Sequence, residues 1–117
     1  MSQDILLNLT FNFALRIVSL SKKIQESKKD FVLSKQLLRS GTAIGALIRE
    51  AQFAQSRADF ISKLSISLKE ANETVYWIEL ISKSYESNDL NCHELLLECN
   101  RIKAMLINSV KNTKNNL

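Results

Sequence analysis

Residues 4–27 read DILLNLTFNFALRIVSLSKKIQES. A large apolar residue returns at every third or fourth position, which is the spacing of one face of an α-helix. A second apolar stripe lies about 100° further round the same helix. One neighbouring core covers only one stripe, so the segment predicts a bundle helix with an additional apolar face. The first stripe is Leu6, Phe13, Ile17, Leu20 and Ile24, and the second is Leu7, Phe11, Ala14 and Val18.

Three more helices are predicted from the same periodicity. With the first at about 4–27, they cover about 31–55, 57–85 and 92–112, and the tail from Lys111 is expected to fray. Helix three carries further apolar residues opposite its core stripe, namely Ile66, Tyr76, Trp77 and Leu80. The predicted core stripes are Leu37, Leu38, Ile44 and Ile48 on helix two, Phe60, Leu64, Ala71, Val75, Ile78 and Ile81 on helix three, and Leu95, Cys99, Ile102 and Leu106 on helix four.

Capping residues mark the predicted helix starts. Asp30 is a plausible N-cap for helix two. Ser56 followed by Asp59 resembles a capping box before helix three, and the pair Asn91 and Glu94 repeats the arrangement before helix four.

Composition supports an all-α fold in a single domain. The chain has 117 residues, no proline and two glycines, whereas a β-rich chain of this length needs many turn residues. Short connections join antiparallel neighbours, so an up-down-up-down four-helix bundle is expected. Gly41 and Gly45 stand mid-helix, where we expect them to allow close packing of a partner helix.

The surplus apolar faces predict a homo-oligomer, because large exposed apolar patches usually mark an interface. The candidate interface residues are Leu7, Phe11, Val18, Ile66, Tyr76, Trp77 and Leu80.

No motif for catalysis or cofactor binding stands out, so we expect neither an enzyme nor a cofactor. Cys92, His93 and Cys99 lack a fourth zinc ligand, and the two thiols, seven residues apart, are expected to share one buried helix face. Free thiols suit a cytoplasmic protein. Arg16 interrupts the apolar N-terminal run, so no membrane span or signal peptide is expected.

The net charge of +4 and the isoelectric point of about 9.2 permit a polyanionic partner. In the alternative interpretation these charges serve solubility and pair with Glu26, Glu50 and Glu70. On helix two, Lys35, Arg39 and Arg49 fall within a narrow arc that contains no acidic residue. The candidate contacts to nucleic-acid phosphates are Arg16, Lys22, Lys23, Lys35, Arg39, Arg49, Arg57 and Lys63.

Residues 35–51, KQLLRSGTAIGALIREA, resemble the second-helix signature of the four-helix-bundle proteins encoded within intervening sequences of bacterial large-subunit ribosomal RNA genes. Residues 59–64, DFISKL, and 68–77, LKEANETVYW, resemble the third helix of that family. The family usually has asparagine at the position of Leu47 and glycine at that of Ala51. Ser40 and Glu50 of the signature are expected to have structural roles.

The resemblance implies a ring of bundles, typically a pentamer. It also implies kinship with the accessory variability determinant proteins of diversity-generating retroelements, which bind nucleic acid and a reverse transcriptase. Two functions are therefore considered. One is a cytoplasmic homopentamer that binds RNA or DNA through repeated basic residues, and the other is a protein-interaction scaffold that docks a partner such as a reverse transcriptase.

Overall fold

The computed structural model describes residues 2–86 and 88–115, and these residues form four long α-helices and no strand. The helices are α1 (Ser2–Lys28), α2 (Val32–Ala51), α3 (Arg57–Tyr85) and α4 (Cys92–Asn115). A short 3-10 helix, Asn88–Leu90, precedes α4.

Helices that follow one another in the chain pack side by side, and α1 also packs against α4. The molecule measures 48 × 21 × 19 Å. Because α3 alone is about 44 Å long, the bundle is one helix long and two helices wide. This contact pattern is the one expected for an up-down-up-down bundle with short connections.

The predicted core is confirmed. All five residues of the first stripe of α1 are buried, and they pack against buried residues of the other three helices. Leu38, Phe60 and Val75 are half-buried and pack against this core. Burial of these apolar side chains is the main contribution that stabilises the fold. It contributes a free energy of roughly 25 cal/mol per Å² of apolar surface removed from water.

Two of the three predicted helix starts have the predicted hydrogen bonds. Oδ1 of Asp30 accepts from the backbone N–H groups of Val32, at 3.0 Å, and Leu33, at 2.9 Å. Ser56 Oγ accepts from the backbone N–H of Asp59 at 3.0 Å. The Asp59 carboxylate accepts from the N–H of residue 55 at 3.1 Å, one residue earlier than in the usual capping box.

The third start is different. Asn91 has a φ of 58°, in the left-handed region, instead of the extended backbone of an N-cap. The prediction of a capping box there is wrong in its backbone conformation. An asparagine tolerates this region better than most residues do, which explains its presence at the end of the connection.

Two helix ends differ from the prediction. Helix α2 ends at Ala51 and not at residue 55, because Ser56 takes an extended backbone with φ −156° to cap α3. The chain leaves α2 through tight bonds such as that from Phe53 N–H to Glu50 O, at 2.9 Å. Helix α4 continues through Lys111 to Asn115, where fraying was expected, because Val110 is buried and anchors this last part.

The two glycines of α2 lie against α1, which confirms the predicted close packing. A methyl group on Gly41 would lie 2.8 Å from the Cγ1 and Cγ2 atoms of Ile17. One on Gly45 would lie 3.1 Å from Thr10 Oγ1. The helices approach each other closely because no side chain separates them at these positions.

Short hydroxyl side chains line the buried faces, a feature that apolar periodicity does not detect. Ser67 Oγ donates to the carbonyl of Ile44 at 2.9 Å, and Thr74 Oγ1 lies 3.0 Å from Ser40 Oγ. These contacts join α2 to α3 and agree with the structural role expected for Ser40. Among the residues whose burial the structure describes, the buried hydroxyl residues are Thr10, Ser21, Ser34, Ser40, Ser67 and Thr74.

Candidate interaction surfaces

The cysteines are buried in the bundle, as their spacing predicted, while His93 points to solvent. Cys99 Sγ donates to the carbonyl of Ala71 at 3.4 Å. Burial raises the pKa of the Cys99 thiol to about 12 and also raises the pKa of Cys92. Both groups are thus held as neutral thiols. Within residues 2–86 and 88–115, no group of three or more His, Cys, Asp or Glu residues comes together in a way that could hold a metal ion.

An apolar groove runs between α1 and α2, and we call it the α1–α2 groove. Its volume is about 410 Å³. Small residues, above all Gly45 and Ala46, leave the floor open, and two phenylalanines stand beside it. Phe11 is 51% exposed and Phe53 is 84% exposed. The groove is lined by Leu7, Thr10, Phe11, Ala14, Thr42, Gly45, Ala46, Arg49, Glu50 and Phe53.

Two charged residues, Arg49 and Glu50, are among those that line the α1–α2 groove. The guanidinium of Arg49 lies 5.8 Å from the centre of the Phe11 ring, a cation–π distance. Glu50 faces Lys63 of α3, with 3.8 Å between carboxylate and ammonium. The groove therefore offers mainly apolar surface to a partner.

A second surface, the α3–α4 hollow, is shallower and more polar. Its apolar part is formed by Ile66, Tyr76 and Ile107, all of them exposed. Tyr76 packs edge-on against Trp77 with ring centres 5.1 Å apart. Lys103 donates to the side chain of Asn72 at 2.9 Å across the gap between the two helices.

Four of the seven residues predicted for an oligomer interface line these two surfaces. Leu7 and Phe11 line the α1–α2 groove, while Ile66 and Tyr76 line the α3–α4 hollow. Val18, Trp77 and Leu80 are half-buried and do not line either one. Periodicity missed Phe53 and Ile107. Phe53 was not predicted as an interface residue, because the helix was expected to continue to residue 55. The turn that exposes Phe53 was therefore not foreseen.

Three of the predicted phosphate contacts form salt bridges. Arg16 of α1 lies 2.5 Å from Glu98 and 3.7 Å from Glu94 of α4. Arg39 contacts both Glu70 and Glu73 of α3, with 3.3 Å to the former. The narrow arc without acidic residues on α2 is thus neutralised in part from the neighbouring helix.

Lys63 is the third of these residues and forms salt bridges to Glu50 at 3.8 Å and to Asp59 at 3.9 Å. Pairing with Glu50 and Glu70 agrees with the alternative interpretation of solubilising charges, whereas no salt bridge among the described residues involves Glu26. Such pairs between exposed side chains contribute about 0–1 kcal/mol each.

The remaining predicted contacts are scattered over the bundle. Lys23 donates to the backbone carbonyl of Asp89, and Arg57 donates to that of Thr113 at 3.3 Å. Lys22 and Lys35 are exposed near the α1–α2 connection, and Arg49 stands at the groove. The bundle does not gather the eight basic residues on a single face.

By length and composition, α1 could cross a membrane over Asp4–Lys28, and no other described helix meets that test. The apolar stripe of this helix is also the side that forms the bundle core. A core helix of a soluble protein has the same character, so the finding is weak evidence for a membrane span.

The fold closely matches a solved structure. The chain is 47% identical to a protein of unknown function from the S23 ribosomal protein family of Bacteroides thetaiotaomicron, whose crystal structure superposes with a TM-score of 0.90. The match covers 95% of this chain and 99% of that one.

No curated protein matches the chain. The family model of the 23S rRNA-intervening sequence proteins matches residues 3–108. The chain therefore belongs to the 23S rRNA-intervening sequence protein family.

Proposed function

We propose that this protein is a non-catalytic scaffold that assembles with copies of itself through the α1–α2 groove. The observation that carries the proposal is the pair of exposed phenylalanines, Phe11 and Phe53, beside an apolar groove with a floor of small residues. In a single bundle these rings remain exposed to water. A partner surface that covers them removes apolar area from water, and this burial favours association.

The α3–α4 hollow supplies a second apolar surface on helices that do not line the groove. Two different surfaces that meet each other form a head-to-tail contact, and repeated head-to-tail contacts close into a ring when the rotation permits. A ring in which each copy presents its groove to the hollow of the next would cover both surfaces, and the family resemblance makes a pentamer the expected size.

Replacing Ala46 with arginine tests the self-assembly. Ala46 is exposed on the groove floor, so a long charged side chain there obstructs a partner without disturbing the core. We expect Ala46→Arg to weaken assembly at least about 100-fold, since a buried unpaired charge costs several kcal/mol. Sedimentation velocity over a range of concentrations measures this change.

Asn12→Arg is the control, because Asn12 is an exposed residue of α1 that lines neither the α1–α2 groove nor the α3–α4 hollow. This variant should assemble like the parent protein. A parent protein that sediments as a monomer at micromolar concentration, or an Ala46→Arg variant that assembles normally, contradicts the proposal. A reverse transcriptase or another protein that occupies the groove of a monomer would be the competing result.

Nucleic-acid binding is the second candidate function. Of the predicted phosphate contacts, Lys22, Lys35 and Arg49 are exposed and take part in no salt bridge among the described residues. In a ring each of these charges is repeated, which raises the positive potential. The expected location is the cytoplasm, where an RNA partner is accessible.

The test of this second function uses Lys22→Glu combined with Lys35→Glu, because Arg49 lines the groove proposed for self-assembly. Arg39 is unsuitable, because Arg39→Glu places a third carboxylate beside Glu70 and Glu73. We expect the double variant to lose at least about tenfold in affinity for single-stranded RNA at low salt and to show a shallower dependence on salt. Fluorescence anisotropy measures both. Unchanged binding, or binding that salt does not weaken, contradicts this function.

A further inference from the structure

The chain has two basic segments. Residues 101–114 contain four basic residues and no acidic one, and the other segment lies where α1 ends and α2 begins. Residues 22–35 contain five lysines and two acidic residues, a net charge of +3, while the whole chain carries +4. The five are Lys22, Lys23, Lys28, Lys29 and Lys35. The segment covers the end of α1, the connection and the first turn of α2.

Two large apolar residues stand in the middle of this basic segment. Phe31 is 60% exposed and Val32 is 73% exposed. They are adjacent in sequence, at the point where α2 begins. Capping of α2 does not require them, because the side chain that accepts the free N–H groups is that of Asp30. Their exposure therefore lacks an explanation within the bundle.

The backbone at this tip is held in place. The hydroxyl of Tyr85, at the end of α3, donates to Oδ2 of Asp30 at 2.6 Å. This hydrogen bond lowers the pKa of Asp30 and raises the pKa of Tyr85. The ammonium of Lys28 lies 5.6 Å from the centre of the Tyr85 ring. Phe31 and Val32 thus project from an ordered turn.

Lysines flank the apolar pair on both sides. Lys28 and Lys29 precede it directly, and Lys35 follows about one helical turn later on α2. The acidic groups close to the turn are Glu26 and Asp30. Both carboxylate oxygens of Asp30 already accept hydrogen bonds, one from the backbone at the start of α2 and one from the Tyr85 hydroxyl. Further acidic residues at this end of the bundle are Glu86 at the end of α3, Asp89 in the 3-10 helix and Glu94 in the first turn of α4.

We propose that the turn of residues 28–35 docks on the surface of an anionic phospholipid bilayer. Phe31 and Val32 enter the boundary between headgroups and acyl chains, and the surrounding lysines lie at the level of the lipid phosphates. Apolar side chains beside clustered lysines are the combination that binds such surfaces, because burial and charge attraction act together. Valine has no aromatic face for a base to stack on, so the pair fits a bilayer better than a nucleic acid.

Cosedimentation with vesicles tests the docking surface. We expect the nuclease-treated protein to bind vesicles of phosphatidylcholine with phosphatidylserine at least about tenfold more tightly than vesicles of phosphatidylcholine alone, and to be released by salt. Equal binding to both vesicles, or no binding to either, overturns the proposal.

Variants separate the apolar from the charged contribution. Phe31→Ser with Val32→Ser should reduce binding to the anionic vesicles by at least about tenfold. The control is Ile5→Ser, which removes a 55% exposed apolar side chain near the start of α1, at the opposite end of the bundle and outside both surfaces proposed for self-assembly. If this control loses as much binding as the double variant, the contact is not made by the turn and the proposal is wrong.

Lys29→Gln with Lys35→Gln should also weaken binding, by about 30-fold, because each lysine near an anionic surface contributes about 1 kcal/mol. Lys111→Gln with Lys114→Gln, two exposed positions near the end of α4, is the matched control and should bind like the parent protein. Circular dichroism confirms that each variant is folded.

If the change at Phe31 and Val32 weakens RNA binding as strongly as vesicle binding, the turn is a nucleic-acid surface and the proposal fails. The turn belongs to one copy, so its failure leaves the proposed self-assembly standing.

Discussion

Replacing Gly41 with alanine is expected to lower the free energy of unfolding by about 2 kcal/mol. Helix propensity alone predicts the opposite, since alanine is favoured over glycine by up to about 1 kcal/mol in a helix interior. The new methyl group would lie 2.8 Å from two carbon atoms of Ile17, and Ile17 is fully buried in the core. Urea unfolding at one fixed protein concentration measures the change, because self-assembly would make stability depend on concentration.

A double-mutant cycle supplies the control for this prediction. Ile17→Ala removes the atoms that the new methyl group would strike, at its own cost of about 2–5 kcal/mol. In that background Gly41→Ala should no longer destabilise the protein, and the higher helix propensity of alanine should make it neutral or stabilising. If Gly41→Ala stabilises the protein with Ile17 present, the contact between α1 and α2 is looser than the structure indicates.

The helices and the core could be predicted because they depend on information local to each segment. A period of 3.6 residues in apolar side chains, together with a chain that lacks proline, leaves few other ways to bury the apolar residues. The positions of Phe13, Ile44 and Ile78 in the core follow from this period alone, and all three are fully buried. The capping pair Ser56 and Asp59 is equally local.

The partners of the charged residues could not be predicted in the same way. A helical projection shows which side of α2 carries Arg39, but not that Glu70 and Glu73 of α3 face it. Arg49, 80° away on the same projection, contacts Phe11 of α1. The two arginines thus turn to different neighbours, and only the packing of three helices reveals it.

The ends of helices were harder to predict than their existence. Residues 52–55 have a composition that suits a helix, yet the cap of α3 requires an extended Ser56 and ends α2 early. This early end exposes Phe53, which is why an important residue of the α1–α2 groove was missed. The requirement to cap α3 therefore ends α2 early and places Phe53 beside the α1–α2 groove.

Serine and threonine at the faces between helices were the other feature that escaped prediction, because they interrupt an apolar stripe in the sequence. In the bundle they act as small residues whose hydroxyl groups bond to backbone carbonyls. Ser67 is fully buried, and its Oγ lies 2.9 Å from the carbonyl oxygen of Ile44 on α2. At this point α3 is separated from the backbone of α2 by a single hydroxyl group.

Replacing Ser67 with leucine should therefore cost about 3 kcal/mol or more, because the larger side chain forces α3 away from α2 and the hydrogen bond is lost. Ser67→Ala separates the two contributions: it keeps the close approach and should cost only about 1 kcal/mol. Ser62→Leu, at an exposed position of the same helix, is the control and should change stability by less than about 0.5 kcal/mol. Urea unfolding of the three variants gives the comparison. If Ser67→Leu is as stable as Ser67→Ala, space for a leucine exists between α2 and α3, and small size is not what the position requires.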